Sequence, residues 1–157
     1  MGEEINNAKS YLNIQTIRYP HTSVEFKLDG SLNSLPLPKV ILQPILENCY
    51  VHGLQNGTGS ILVHSYYKDG YAIIEVTNDS HLPLDERAVA TVDESLQKNE
   101  TQCGEEGAHD TKNHHIALSN IAKRLRLEHP GSSTHLEVVK GNRCRLSLRI
   151  PFQEEAK

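Results

Sequence analysis

Several features are scarce in this 157-residue sequence, and each scarcity excludes a class of protein. No apolar run approaches the roughly 20 residues that a membrane-spanning helix requires. The first ten residues are polar and acidic, which is not the pattern of a secretory signal peptide. The cysteines, Cys49, Cys103 and Cys144, are odd in number and lack CxxC spacing, so we expect free thiols in a reducing cytoplasm.

Positive charge is also limited. The net charge is −4, and no stretch is rich in lysine or arginine, so a nucleic acid or an anionic membrane is not an expected partner. Hydrophobic residues make up 37% of the chain and charged residues 23%, which is typical of a globular protein. The length fits one domain with its own core.

Hydrophobic periodicity predicts the order helix, strand, helix, hairpin, long polar segment, helix, hairpin. The predicted helices cover 3–19, 39–52 and 115–128, and the predicted strands cover 23–28, 60–67, 71–77, 134–139 and 143–150. Pro44 is unfavourable inside the second helix, because proline removes a helical hydrogen bond. Strands outnumber the helices, which favours a two-layer α/β (α+β) sandwich. Its sheet would be mixed and mostly antiparallel, with helices on one face.

The polar segment at about 79–113 is long for a compact domain and has only a weak helical stripe, formed by Leu84, Ala88, Val92 and Leu96. Such segments are typically lids or binding loops, and we interpret this one as a lid. Its His109, Asp110, His114 and His115 match no standard zinc spacing, so a solvated loop is the favoured interpretation.

Glu47 and Asn48 interrupt an otherwise apolar helix, where burial of two polar groups costs free energy unless they are bonded. One interpretation is that both cap a neighbouring loop. The other is that the amide oxygen of Asn48 binds Mg²⁺ together with phosphate oxygens, while Glu47 orients the attacking group or a water.

Residues 37–53, LPKVILQPILENCYVHG, resemble the N-box of the GHKL ATPase superfamily in the "QPLVENAIKHG" form of LytS/YesM-type bacterial sensor histidine kinases. Three further segments are similar to family motifs in the same order. Residues 11–19 resemble "YLeIqkiRf", residues 116–125 resemble "IGLxNvxxRL", and residues 147–151 resemble the closing "xlxIP" strand. Together these matches cover almost the whole chain.

The resemblance implies the Bergerat fold, with residues 1–19 as a leading helix and residues 20–157 as an ATP-binding domain. It implies ATP and Mg²⁺ as cofactors and γ-phosphoryl transfer to a histidine in an upstream segment. From there the phosphoryl would pass to a response regulator. It further implies a cytoplasmic domain of a membrane-anchored parent that forms a homodimer at full length. Because the acceptor motif is not in this sequence, we expect that the chain does not phosphorylate itself.

The resemblance also implies site residues, with Glu47 as the catalytic residue and Asn48 as the residue that holds Mg²⁺ through ATP. Asn78 stands where the family has the aspartate that reads the adenine amino group. The implied nucleotide-binding set is Asn48, His52, Asn78, Ser80, His115, Ala117, Leu118 and Cys144. His52 occupies an N-box position and is not the phosphoryl acceptor.

Several motif positions carry other residues than the family's. Ser80 and Leu82 replace glycines, His115 and Ala117 replace two more, Val51 replaces a lysine, and Cys144 replaces a threonine. These changes leave a second hypothesis open, in which the domain keeps the fold and acts as a non-catalytic regulator through protein contacts.

Overall fold

The computed structural model describes residues 1–54, 57–98 and 109–153, with side chains from residue 116 onward in the last range. The helices are α1 (Gly2–Arg18), α2 (Leu42–Asn48), α3 (Glu86–Lys98) and α4 (His109–Glu128). The strands are β1 (His21–Lys27), β2 (Thr58–Lys68), β3 (Tyr71–Asp79), β4 (Ser133–Val139) and β5 (Arg143–Pro151). Short 3₁₀ and π turns occupy Gly30–Ser34 and Cys49–Gly53.

The five strands form one sheet in the order β1-β2-β3-β5-β4. Only β1 and β2 are parallel, and the other neighbours are antiparallel. The predicted hairpin turn is confirmed, because Lys68 pairs with Tyr71 and both Asp69 and Gly70 have positive φ. That geometry is the type I′ turn that two-residue hairpins favour. The predicted mixed, mostly antiparallel α/β architecture is therefore confirmed.

One face of the sheet forms the core. Buried and partly exposed residues alternate along the strands, as period-two geometry requires. The buried strand residues include Ile61, Val63, Ala72, Ile74, Val76, Leu146, Leu148 and Ile150. Helices α1, α2 and α4 contribute Ile5, Leu12, Ile45, Leu46, Ile121 and Leu125 to the same cluster. The result is a two-layer sandwich.

The second predicted helix has different bounds from those expected. It begins at Leu42 instead of residue 39, so Pro44 lies in the first turn, where a missing N–H costs nothing. The expectation that Pro44 lies in the interior of the helix is therefore wrong. The helix continues as one π turn, in which the Leu54 N–H donates to the Cys49 carbonyl at 3.0 Å. Single π turns often mark functional sites.

Helix α3 lies within the polar segment interpreted as a lid and packs along the free edge of β4. The Asp93 carboxylate accepts from the Leu136 N–H at 2.7 Å, and the Gln97 amide donates to the Thr134 carbonyl. Side chains of α3 therefore satisfy backbone groups that an edge strand leaves unpaired. Leu96 is fully buried, whereas Ala88 of the predicted stripe is exposed. A lid role for this segment stays a prediction.

We expect Asp93→Ala to lower the free energy of unfolding by about 1–3 kcal/mol, because it leaves the Leu136 N–H without its acceptor. It also removes the contact between Asp93 and His135 at 2.8 Å. Glu94→Ala is the matched control, since Glu94 is largely exposed and pairs weakly with Lys98 at 3.9 Å. Its effect should stay within about 0.5 kcal/mol. Urea titration followed by circular dichroism measures both, and equal losses would contradict the edge contact.

Among the described residues, Cys49 and Cys144 are free thiols, and Cys103 lies outside that part of the chain. No helix in the described ranges is long and apolar enough to cross a membrane.

Candidate functional site

A cavity of about 230 Å³ lies between the core face of the sheet and the helices α2, α3 and α4. Its lining is mostly apolar with a few polar groups, which is the usual chemistry of a small-molecule site. The lining residues are Ile45, Asn48, Cys49, His52, Gly53, Val76, Asn78, Ser80, Leu84, Val89, Val92, Leu118, Leu136, Cys144 and Leu146. Six of the eight predicted nucleotide-binding residues are among them: Asn48, His52, Asn78, Ser80, Leu118 and Cys144.

The two polar residues of α2, which we call the pocket helix, have different surroundings. Asn48 lines the cavity at the end of α2, and the following π turn brings Cys49, His52 and Gly53 to the same wall. Glu47 does not line the cavity, and its carboxylate accepts from the Gln43 amide at 2.9 Å, one helical turn earlier. Glu47 thus bonds within its own helix in this contact, and the interpretation that Asn48 caps a neighbouring loop stays open.

Strand register decides which of two adjacent residues faces the cavity. Asn78 has the same parity as Ile74 and Val76 and therefore points to the core face, where it is 8% exposed. Asp79 points to the opposite face. There its carboxylate accepts from the Ser60 N–H and hydroxyl at 2.8 and 2.7 Å, and it pairs with Arg143 at 2.9 Å.

Gly53 allows the pocket helix to end directly against Asn78. A Cβ at residue 53 would lie 2.0 Å from the Asn78 Nδ2 and 2.8 Å from the Asp79 carbonyl oxygen. The Asn78 Nδ2 donates to that same carbonyl at 2.9 Å, which orients the amide with its oxygen away from the backbone. The amide orientation follows from this hydrogen bond. The available oxygen is an acceptor, as a carboxylate would be.

Cys144 is the direct cross-strand partner of Asn78 and lines the cavity beside it. Burial, with a smaller contribution from the nearby Glu137 carboxylate, raises the pKa of Cys144 to about 11. Burial also raises the pKa of the Cys49 thiol well above its usual range. Both thiols are therefore neutral at physiological pH and act as small apolar walls of the cavity.

The loop after β3 keeps its shape without glycines. The Asn142 amide donates to the carbonyls of Ser80 and Leu82 at 3.0 Å each, and its oxygen accepts from the Leu84 N–H at 2.9 Å. Asn142 itself has φ of 56°, whereas Ser80 and Leu82 do not adopt positive φ. Glycine is not needed for backbone conformation at those two positions.

Helix α4 carries three of the predicted nucleotide-binding residues, His115, Ala117 and Leu118. Leu118 lines the cavity, but Ala117 does not, and the side chain of His115 lies outside the described residues. The same holds for the side chains of His109, Asp110 and His114. Val51, at the position of the family lysine, is 51% exposed and is not a lining residue.

Sequence reasoning missed several lining residues. The predicted stripe contained Leu84 and Val92, which line the cavity, but it had Ala88 where Val89 of α3 lines it. Cys49 and Gly53 were inside the recognised motif, one position after Asn48 and His52. The π turn brings these adjacent residues to one wall, and nothing in the sequence marks that turn.

No protein-family model matches the chain, and no curated protein sequence matches it. Solved structures do. The nucleotide-free catalytic domain of histidine kinase ThkA superposes with a TM-score of 0.66 at 17% identity, covering 99% of this chain and 94% of that one. The mycobacterial sensor histidine kinase MprB gives 0.57 at 15% identity, covering 94% and 93%.

A longer ThkA structure, in complex with the response regulator TrrA, gives a TM-score of 0.61 at 15% identity. It covers all of this chain and 42% of that one. The class that these comparisons define is the α/β sandwich found in histidine kinase catalytic domains, and this chain has that fold. At such identities the likeness extends to the fold alone.

Proposed function

We propose that this chain is the ATP-binding catalytic domain of a sensor histidine kinase of the LytS/YesM type. In this proposal it transfers the γ-phosphoryl of ATP to a histidine carried by an upstream segment of a membrane-anchored, dimeric parent. A response regulator is the next acceptor, as the complex of ThkA with TrrA suggests by analogy. Residues 1–19 lead into the domain, and residues near 79–113 cover the nucleotide.

One observation carries the proposal. Residues from four separate segments, chosen from motifs of one family, line one cavity in a chain with the fold of histidine kinase catalytic domains. They come from α2 with its π turn, the end of β3, α4 and β5. Unrelated motif matches would scatter over the surface instead of converging.

In this proposal each residue has a role that its position supports. The Asn78 oxygen accepts from the adenine amino group, and the Cys144, Val76 and Leu146 side chains contact the base edge and faces. The Asn48 amide oxygen is a suitable hard ligand for Mg²⁺, which would supply charge neutralisation of the phosphates. Glu47 orients the attacking imidazole from outside the cavity. Catalysis is then mainly positioning.

The alternative is a non-catalytic domain that keeps the fold for protein contacts. It draws on the absence of lysine and arginine from the lining residues that the structure describes and on the exposed Val51. Without a basic side chain, phosphate affinity would depend on Mg²⁺ and backbone N–H groups. The two hypotheses therefore differ in whether the cavity binds Mg·ATP at all.

We expect Mg²⁺-dependent binding of a non-hydrolysable ATP analogue with a dissociation constant of about 1 mM, near −4 kcal/mol. Weak binding is expected because Val51 replaces a lysine of the family, which removes a positive charge, and because His115 and Ala117 replace two of its glycines. Isothermal titration with and without Mg²⁺ measures it. Asn48→Ala should abolish the Mg²⁺ dependence, whereas Asn48→Asp, which keeps an oxygen ligand, should retain it.

The absence of heat and of any thermal shift at several millimolar nucleotide would reject the kinase hypothesis and favour the regulator. Binding that is equally strong without Mg²⁺ and in Asn48→Ala would reject the role of Asn48 while leaving nucleotide binding intact.

A further inference from the structure

The N-terminal end of the pocket helix is held by a carboxylate from a different helix. Glu4 of α1 is 6% exposed, and its two oxygens point at the backbone where α2 begins. Oε1 accepts from the Val40 N–H at 2.7 Å, and Oε2 accepts from the Ile41 and Leu42 N–H groups at 2.8 and 3.3 Å. These bonds join residues that are 36 to 38 positions apart.

The local sequence explains why α2 needs this contact. The first N–H groups of a helix have no partner within the helix, and Ile41 at the N-cap offers no side-chain acceptor. An external carboxylate satisfies them and also interacts favourably with the positive end of the helix. The contact fixes an unusual backbone, because Val40 adopts φ of 56°. A β-branched residue rarely adopts that conformation unless its surroundings impose it.

A second charged side chain holds the same backbone from the other side. The Arg124 guanidinium of α4 donates to the carbonyl of Lys39, the residue immediately before Val40. Residues 39–42 are thus bound through their N–H groups by α1 and through a carbonyl by α4. We call Glu4 and Arg124, with the backbone of 39–42, the clamp.

The clamp is directly connected to the cavity. Helix α2 is only seven residues long, and Ile45 and Asn48 on it line the cavity wall. Asn48 is six residues beyond Leu42, about 9 Å along a helix axis. A packed helix this short moves as one body, so a displacement at residues 40–42 changes the position of the Asn48 amide.

We infer that Glu4 is a positioning residue that couples the placement of α1 to the geometry of the nucleotide cavity. When α1 turns or slides, the Glu4 carboxylate moves away from three N–H groups, and α2 loses the contact that sets Asn48. This inference rests on the proposed function for its nucleotide readout, and its structural readout is independent of nucleotide.

The test uses the full chain, with Glu4→Gln as the main variant because it keeps the size of the side chain and removes the charge. Glu3→Gln is the matched control, since Glu3 is the exposed neighbour on the same helix. Leu12→Val is the stability control, because Leu12 is buried on α1 about two helical turns beyond Glu4. Hydrogen exchange is measured by NMR at the amides of 40–42 and of 48–53. Nucleotide affinity is measured at a temperature where circular dichroism shows each variant folded.

We expect Glu4→Gln to speed exchange at both groups of amides about tenfold and to weaken binding of the Mg²⁺–ATP analogue about tenfold. Both controls should change these quantities less than about twofold. Unchanged exchange at 40–42 in Glu4→Gln overturns the clamp. Faster exchange at 40–42 with unchanged exchange at 48–53 overturns the coupling. A loss of nucleotide affinity in Leu12→Val equal to that in Glu4→Gln overturns it as well.

If Glu4→Gln does not fold, Arg124→Gln loosens the clamp from the exposed side, with the exposed Lys123→Gln as its control. Faster exchange at 40–42 and 48–53 in Arg124→Gln alone supports the coupling, and equal exchange in the two variants overturns it. Absence of nucleotide binding in the wild type rejects the proposed function, and the exchange data then still decide the clamp.

Discussion

Replacing Gly53 by alanine is expected to remove nucleotide binding and to lower the free energy of unfolding by about 1–3 kcal/mol, the usual cost of overpacking. The new methyl group would sit 2.0 Å from the Asn78 amide nitrogen and 2.8 Å from the Asp79 carbonyl oxygen. Gly53 does not have positive φ, so alanine introduces no backbone strain, and the effect is steric. Titration of the Mg²⁺–ATP analogue and urea unfolding measure the two losses.

Gly30→Ala is the matched control, because a Cβ at Gly30 meets nothing within 4 Å and its φ is not positive. It should change stability by less than about 0.5 kcal/mol. A double-mutant cycle with Asn78→Ala makes the cause specific. Removing the Asn78 amide should reduce the cost of Gly53→Ala, with a coupling energy of about 0.5–3 kcal/mol. Additive effects would show that the methyl group acts elsewhere.

Fold class was predictable because its signals are local and repeated. Alternation of Val24 and Phe26 with Glu25 and Lys27 marks a half-buried strand, and the Asp69-Gly70 pair marks a two-residue hairpin. Helix bounds were less predictable. The start of α2 depends on Glu4, which is distant in sequence, and the effect of Pro44 depends on that start.

The site was predictable in part, for a similar reason. The family resemblance pointed to Asn48 and Asn78, and both residues line the cavity. Spacing does not encode the Asn142 side chain, which holds the loop after β3 across 58 to 62 positions of sequence. It also does not encode the clamp. Tertiary hydrogen bonds of this kind replace local devices such as glycines and N-caps, and only the folded structure brings their partners together.

Asn78 and Asp79 are adjacent, and replacing each by alanine is expected to give opposite phenotypes. Asn78→Ala removes the acceptor that faces the cavity, so nucleotide binding should weaken by about 1–3 kcal/mol, and ATP and GTP should bind about equally. The stability of this variant should change little, because within the described residues the Asn78 side chain hydrogen-bonds only the carbonyl of the neighbouring Asp79. Asn78→Asp keeps the acceptor and should keep the preference for ATP.

Asp79→Ala should instead lower the free energy of unfolding by about 1–2 kcal/mol while leaving the ratio of ATP to GTP affinity unchanged. The substitution removes the carboxylate on the far face of the sheet, together with its hydrogen bonds to Ser60 and its ion pair with Arg143. The partial exposure of Asp79 limits the loss of stability. Competition of ATP and GTP analogues against a fluorescent nucleotide, with urea unfolding in parallel, separates the two effects. Loss of base preference in Asp79→Ala but not in Asn78→Ala would show that Asp79, and not Asn78, reads the base, and would overturn the assignment made from strand register.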